Sequence, residues 1–313
     1  MLPFDAVLLA GPTASGKTSA AIMLSQSMPI EIISMDSALV YRGMNIGTAK
    51  PTPEELSLVP HHLIDILEPE ENFSAARFVE ETERLIPEIQ ARGKLPVIVG
   101  GTMLYAKALL EGFSTVPSST KEVRELIAGQ LEKEGLAKLY ERLKSVDAVT
   151  AARLKPGDTQ RISRALEVWE MTGKPFSSFM GEKKVTSKKI LEVGLMPSDR
   201  KVLHERIALR FDMMLAEGFL EEVRTLRERP HLTLNSPSMR CVGYRQAWMY
   251  LDGKYSEAEF REAGIAATRQ LAKRQITWMR SMPTLNLIDP LTEDVQNELM
   301  RLVHDRESEK RKG

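Results

Sequence analysis

Residues Gly11, Pro12, Thr13, Ala14, Ser15, Gly16, Lys17 and Thr18 stand between an apolar run at 6–10 and a segment of helical character at 19–26. A short buried strand, a loop carrying two glycines and a lysine, and a helix, in that order, are the setting of a phosphate-binding loop. Gly11 and Gly16 let the backbone curl so that successive N–H groups turn inward. Lys17 adds a point charge, and Thr18 offers a hydroxyl to Mg²⁺. The loop is a cradle for a di- or triphosphate, and alone it names neither the compound nor the reaction.

The pattern downstream sets the fold class. The segments 31–35 and 62–67 and the apolar run 95–99 read as strands, and Ser74 caps a helix with Phe78, Leu85, Ile86 and Ile89 at helical spacing, closed by Gly93. Strands alternating with helices imply a doubly wound parallel sheet that binds ligands outside the carboxyl ends of its strands. Asp36, Thr102 and the loop then share one edge. Residues 120–132, 136–144, 148–154 and 159–171 all read as helices, with no strand among them, before strand character returns at 190–196 and 284–288. The expectation is an α/β protein: a P-loop NTPase-like parallel sheet flanked by helices, formed by residues 1–115 and 190–313, with an all-helical insertion domain at 116–189. Ser198 and Ser256 read as N-caps, the latter with Glu259 in a capping box, and the polar tail 307–313 reads as frayed.

Bulk properties narrow the setting. In 313 residues, Lys plus Arg and Asp plus Glu both number 43, so any attraction to nucleic acid must be local. No apolar stretch approaches the roughly 20 residues that span a bilayer. The single cysteine, Cys241, excludes an internal disulfide framework and a cysteine-based zinc site, and fits a reducing cytoplasm. Adjacent His61 and His62 would point to opposite faces of a strand, which argues against shared metal ligation.

Asp36 ends its strand within reach of bound phosphates and has two readings: an Mg²⁺ ligand, or a base that takes a proton from an attacking nucleophile. The run at 95–99 ends in Gly100 and Gly101, where an NTP hydrolase would often carry a second acid, and this loosens the link to ATP chemistry. Local positive charge is concentrated on two helices. Arg269, Lys273 and Arg280 form a stripe opposite Leu271 and Trp278, while Gln160, Arg161 and Arg164 lie opposite Ile162, Leu166 and Trp169. Together with Arg240 and Arg245, these faces suit a polyanion. Trp169, Trp248 and Trp278 read as core.

Taken in order, Gly11 to Thr18, the run Ser34 to Gly43, Gly47 to Pro51, Gly100 to Thr102, Gln160 to Arg164, Arg240 to Arg245 and Lys273 to Arg280 resemble the bacterial tRNA dimethylallyltransferases, also called tRNA isopentenyltransferases. The resemblance spans nearly the whole chain. Asn45 stands where the family commonly has Asp, and the C-terminal zinc finger of eukaryotic relatives is absent. The resemblance implies transfer of a dimethylallyl group from dimethylallyl diphosphate to the exocyclic amine of the adenosine immediately 3′ of a tRNA anticodon. By the same resemblance, Gly11 to Thr18 and Arg210 hold the diphosphate, with Thr13 among them. Asp36, Lys17, Thr18 and Thr102 serve catalysis, and Thr18 faces the metal, Mg²⁺. The implied tRNA contacts are Asp36, Ser37, Ala38, Leu39, Thr102, Arg124, Gln160, Arg161, Ile162, Ser163, Arg164, Arg240, Cys241, Val242, Gly243, Tyr244, Arg245, Lys273, Arg274, Gln275, Ile276, Thr277, Trp278, Met279 and Arg280. The expected partner is the anticodon stem-loop, bound by a cytoplasmic monomer with no membrane association. The competing reading is a P-loop small-molecule or nucleoside kinase, which shares the loop, the sheet and a helical lid.

Overall fold

A computed structural model of the protein describes residues 2–114, 116–181, 183–292 and 294–308. Eight strands occur among them: β1 (Ala6–Ala10), β2 (Ile30–Met35), β3 (His61–His62), β4 (Leu95–Gly100), β5 (Phe113–Ser114), β6 (Lys183–Lys184), β7 (Ile190–Leu195) and β8 (Asn286–Ile288). Six of them form one parallel sheet in the order β3-β2-β4-β1-β7-β8. Helices cover both faces of the central strands, so β1, β2 and β4 are buried along their whole length, and the charged residue among them, Glu31 of β2, is paired with Arg92, Lys94 and His62. Each fully buried Leu or Val, such as Leu9 or Val97, contributes about 2 kcal/mol relative to exposure. On one side Leu9, Val97 and Val193 pack with Ala20 and Leu24 of the helix Lys17–Ser27 and with Leu299 and Val303 of the helix Val295–Ser308.

Strand register decides where the site lies. Ala10 of β1 pairs with Gly100 of β4, and Gly100 pairs with Met35 of β2. Gly11, Gly101 and Asp36 therefore leave the sheet side by side at its carboxyl edge. A side chain at position 100 cannot fit, since a Cβ there would stand 2.0 Å from the Met35 carbonyl oxygen.

The chain divides into two compact units, residues 1–110 with 187–313, and residues 111–186. The second unit is built from the helices Lys121–Glu134, Leu136–Val146, Ala148–Arg153 and Thr159–Thr172 around Ile127, Leu143, Ile162 and Leu166. It is not purely helical: β5 and β6 pair antiparallel where the chain enters and leaves it. Two-residue strands lack the period-2 pattern that would reveal them in sequence.

Other local expectations change as well. Of the run 62–67 only His62, the second residue of β3, is strand, because Leu63 and Asp65 turn to φ of 63° and 53°, and a lone bridge joins Tyr41 to Leu67. The helix Arg200–Ala216 is capped by Asp199, whose carboxylate accepts from Lys201 N at 2.6 Å, and not by Ser198. Ser256 does cap the helix Glu257–Arg280 in a reciprocal capping box with Glu259. The helix Val295–Ser308 extends into the tail expected to fray, and residues 309–313 of that tail lie outside the described residues.

Candidate active site

A cleft of about 630 Å³ opens at the carboxyl edge of the sheet, within the first unit. Its floor is the loop after β1. Ala14 at φ 62° and Gly16 at φ 88° alternate with ordinary backbone, a geometry that turns neighbouring N–H groups toward one point. No side chain caps the helix Lys17–Ser27, so its first-turn amides and the positive end of its dipole are left to a ligand. Gly11, Pro12 and Ser15 are buried beneath the loop. Pro12 has no amide to donate, and its carbonyl accepts from Lys17 Nζ at 2.7 Å.

Two cations are held in this cleft at a desolvation cost. Burial pulls the Lys17 ammonium down to about 8, against the raising field of Asp36 and with a smaller lowering contribution from Arg210. Burial likewise lowers Arg210, again opposed by Asp36. An anion bound between them would remove that penalty. The sign follows directly: below pH about 8 Lys17 is charged, and above it the free site must take up a proton to bind an anion. Affinity for a non-reactive prenyl diphosphate analogue should be flat up to that pH and then weaken, by about fivefold between pH 8 and pH 9. Titration calorimetry across that range measures it, and Lys17→Met should bind weakly with no such slope.

The wall of the cleft comes from β2 and β4. Asp36 is half-buried, and its Oδ1 accepts the Ala38 amide at 2.8 Å, which leaves the other carboxylate oxygen for the cleft. Thr102 ties the two strand ends together: its amide donates to Met35 O at 3.2 Å and its Oγ1 accepts the Ser37 amide at 3.0 Å. The chain after Asp36 is held down by a residue the sequence reading did not single out. Glu222, on the helix Phe219–Arg227, accepts the amides of Asn45, Ile46 and Gly47 at 2.7, 2.8 and 3.1 Å, and also the Tyr244 hydroxyl. Asn45 uses its Oδ1 to accept from Lys50 Nζ at 2.9 Å. Lys50 already has Asp65 as an ion-pair partner and the Tyr41 carbonyl as acceptor, so the amide at position 45 completes its coordination without a second negative charge.

The residues read as RNA contacts separate into three groups by exposure. Ser37, Gln160, Arg161, Arg240, Arg245, Lys273, Arg274, Thr277 and Arg280 are exposed. Ala38, Leu39, Cys241, Val242 and Trp278 are half-buried and line the cleft, and Ser163 is half-buried in the second unit. Ile162, Gly243, Tyr244, Gln275, Ile276 and Met279 are buried, and of these Gly243, Tyr244 and Gln275 line the cleft. Helical periodicity explains most of this, since a contiguous motif on a helix necessarily includes core positions. Arg124 is exposed and Arg164 half-buried, and each also holds nearby backbone. Arg124 donates to Ser119 O at 2.7 Å and Arg164 to Pro117 O at 2.6 Å, so both brace the 117–119 backbone. Thr13 donates its amide to Gln275 Oε1 at 2.9 Å, both residues lining the cleft. The tryptophans are not core: all three are half-buried, Trp248 lies under Arg227, and Trp278 lines the cleft with Lys107 over its ring.

Comparison with known proteins agrees with this architecture. The IPP transferase family model matches residues 39–282. The tRNA dimethylallyltransferase of Ralstonia pickettii (strain 12J) is 53% identical over 306 residues, covering 95% of this chain and 94% of its own length. That of Neisseria meningitidis serogroup C is 54% identical over 291 residues, covering 92% and 93%. Among solved structures, the full-length tRNA isopentenylpyrophosphate transferase of Bacillus halodurans superimposes with a TM-score of 0.69 at 34% identity, covering 97% of this chain and 98% of its own. A eukaryotic dimethylallyltransferase acting on tRNA superimposes with a TM-score of 0.79 at 28% identity, covering 98% of this chain and 79% of its own. With the P-loop sheet in place and relatives more than half identical along nearly its whole length, the chain belongs to the IPP transferase family, that of the tRNA dimethylallyltransferases.

Proposed function

We propose that this protein transfers a dimethylallyl group from dimethylallyl diphosphate to N6 of the adenosine immediately 3′ of the anticodon in tRNA. The observation that carries the reading is one cleft in a member of this family, with an anion cradle on its floor and two desolvated cations and a carboxylate lining it. An adenine amine is a weak nucleophile because its lone pair is delocalised into the ring. Loss of its proton as the new bond forms lowers the barrier. In this reading N6 attacks the allylic carbon, the carbon–oxygen bond to diphosphate breaks, and the Asp36 carboxylate accepts the N6 proton. Lys17, Arg210 and the first-turn amides of the helix Lys17–Ser27 stabilise the charge developing on the departing diphosphate. Thr102 holds the Asp36 turn where the two substrates meet.

The donor set fits Mg²⁺ of the kind that phosphate substrates bring with them. Among the described residues no cluster of three or more His, Cys, Asp or Glu side chains could hold a metal. Mg²⁺ is commonly held by one or two protein oxygens together with substrate phosphate oxygens. Thr18 supplies such an oxygen, with Asp36 lining the same cleft, and the ion would neutralise diphosphate charge. Exposed Arg274 and Arg280 in the first unit and Arg161 in the second are the candidates for tRNA phosphate contacts. The target base must leave its stack to reach the cleft, which is least costly in an unpaired anticodon loop. A cytoplasmic monomer is the simplest form of this reading, and among the described residues no helix is long and apolar enough to cross a membrane.

The deciding experiment incubates protein, Mg²⁺, unmodified tRNA and radiolabelled dimethylallyl diphosphate, and asks whether label enters the RNA at that adenosine. Incorporation supports the reading, while ATP turnover without incorporation would replace it with the kinase reading. Family membership and the Gly100–Gly101 end of β4, which lacks the acid expected of a kinase, both weigh against that outcome.

A further inference from the structure

The side-chain amide of Gln275 joins the two loops that frame the cleft. Its Oε1 accepts the Thr13 amide at 2.9 Å and its Nε2 donates to the Gly101 carbonyl at 2.9 Å. The orientation of the amide is unambiguous, because a backbone N–H needs an acceptor and a backbone C=O needs a donor. Gln275 is buried, unlike its exposed neighbours Lys273 and Arg274 on the helix Glu257–Arg280. It also approaches the β4 loop closely, since a Cβ at Gly101 would stand 2.3 Å from its Nε2. From Gly101 the connection continues through Thr102, whose Oγ1 accepts the amide of Ser37, the residue after Asp36, at 3.0 Å. Five residues thus form one hydrogen-bonded path from the phosphate loop to the residue beside Asp36.

We propose that Gln275 is a positioning residue that sets the spacing between the phosphate loop and the Asp36 turn, and so the distance between the prenyl carbon and the attacking nitrogen. It rests on the prenyl-transfer reading. Glutamine suits the position because one end of its side chain must accept and the other must donate. An apolar side chain of the same length would leave the Thr13 amide and the Gly101 carbonyl unpaired. Misplacement of reacting groups by about 1 Å can cost about 100-fold in rate.

The test measures kcat, and KM for each substrate, in Gln275→Glu, Gln275→Met and the unmodified protein across pH. An ionised glutamate keeps the acceptor for Thr13 but sets a negative charge against the Gly101 carbonyl. When protonated it regains the donor, so the variant should recover as pH falls. Dividing by the unmodified protein at each pH removes the titration of other groups. The Glu variant is expected to lose about 100-fold in kcat at about pH 8.5 with KM for tRNA within about threefold, and its ratio to the unmodified protein should rise about tenfold by about pH 6.5. The Met variant should lose kcat similarly, with a ratio that does not change with pH. A Met variant with undiminished kcat, or a Glu variant whose ratio is flat across pH, overturns the proposal. Absence of prenyl incorporation by the unmodified protein instead overturns the reading on which it rests.

Discussion

Asp36→Ala is expected to lower turnover by about 10²- to 10⁴-fold while tRNA affinity stays within a few fold. The reason is that a base acts in the transition state and contributes little to ground-state binding. The carboxylate also has a structural role, accepting the Ala38 amide at 2.8 Å, and Asp36→Asn separates the two. Asparagine keeps an acceptor for that amide but cannot take the N6 proton, so it should be about as slow as alanine with the turn intact. The alternative role, as an Mg²⁺ ligand, has a different signature. A lost metal ligand raises KM for the prenyl diphosphate and the Mg²⁺ concentration needed for half-maximal rate, whereas a lost base lowers kcat at saturating Mg²⁺. Single-turnover kinetics with labelled substrate distinguish these outcomes, and near-normal turnover in either variant would remove Asp36 from the chemistry.

Glu222→Ala should be the most damaging single change away from the reacting atoms, with a loss of about 3 kcal/mol or more in folding stability. Three consecutive amides, at Asn45, Ile46 and Gly47, lose their acceptor together, as does the Tyr244 hydroxyl. Tyr244 is fully buried, and burial with Glu222 beside it holds its phenol well above the ordinary tyrosine value. Without the carboxylate a neutral hydroxyl is left in an apolar setting against Phe219, whose ring lies 5.1 Å away, centroid to centroid. Gly47, Thr48 and Ala49 line the cleft, so turnover should fall along with stability. Urea denaturation gives the first quantity and steady-state kinetics the second. Glu222→Gln should be intermediate, since its one carbonyl oxygen can keep part of the amide set. A midpoint unchanged by Glu222→Ala would show that these amides find water as readily as carboxylate.

Much of the scaffold was legible because its signals are local. The runs at β1 and β4 are almost wholly apolar, as strands covered on both faces tend to be, β2 keeps that character around Glu31 and Ser34, and Ser256 with Glu259 announces a helix start by its spacing. The insertion of helices could be read from periodicity, but its entry and exit strands could not, at two residues each. Ser198 was displaced as a cap by Asp199 next to it, a choice between two capable side chains that depends on where the chain leaves β7. In the site, the phosphate loop and Asp36 were recoverable from pattern because β1 and β2 each run straight into them. Arg210 entered only through resemblance. Gln275 was placed on an RNA face by resemblance and Arg164 by its helical stripe with Gln160 and Arg161; only the structure shows that one bridges two loops and the other braces a turn.

The sequence by itself determined a P-loop α/β protein with a mainly helical insertion and a family membership, since these rest on hydrophobic period, loop composition and ordered motifs. The tertiary structure alone decided that Ala10, Gly100 and Met35 lie in one register, which brings Lys17, Asp36 and Thr102 around a common cleft. It also decided which polar residues serve that cleft from beneath, Glu222 and Gln275 among them. Their partners are backbone groups, which every residue carries, and some lie more than 170 positions away. A hydrogen bond to a distant amide leaves no periodicity and no characteristic residue type at either end, so only the folded chain can show it.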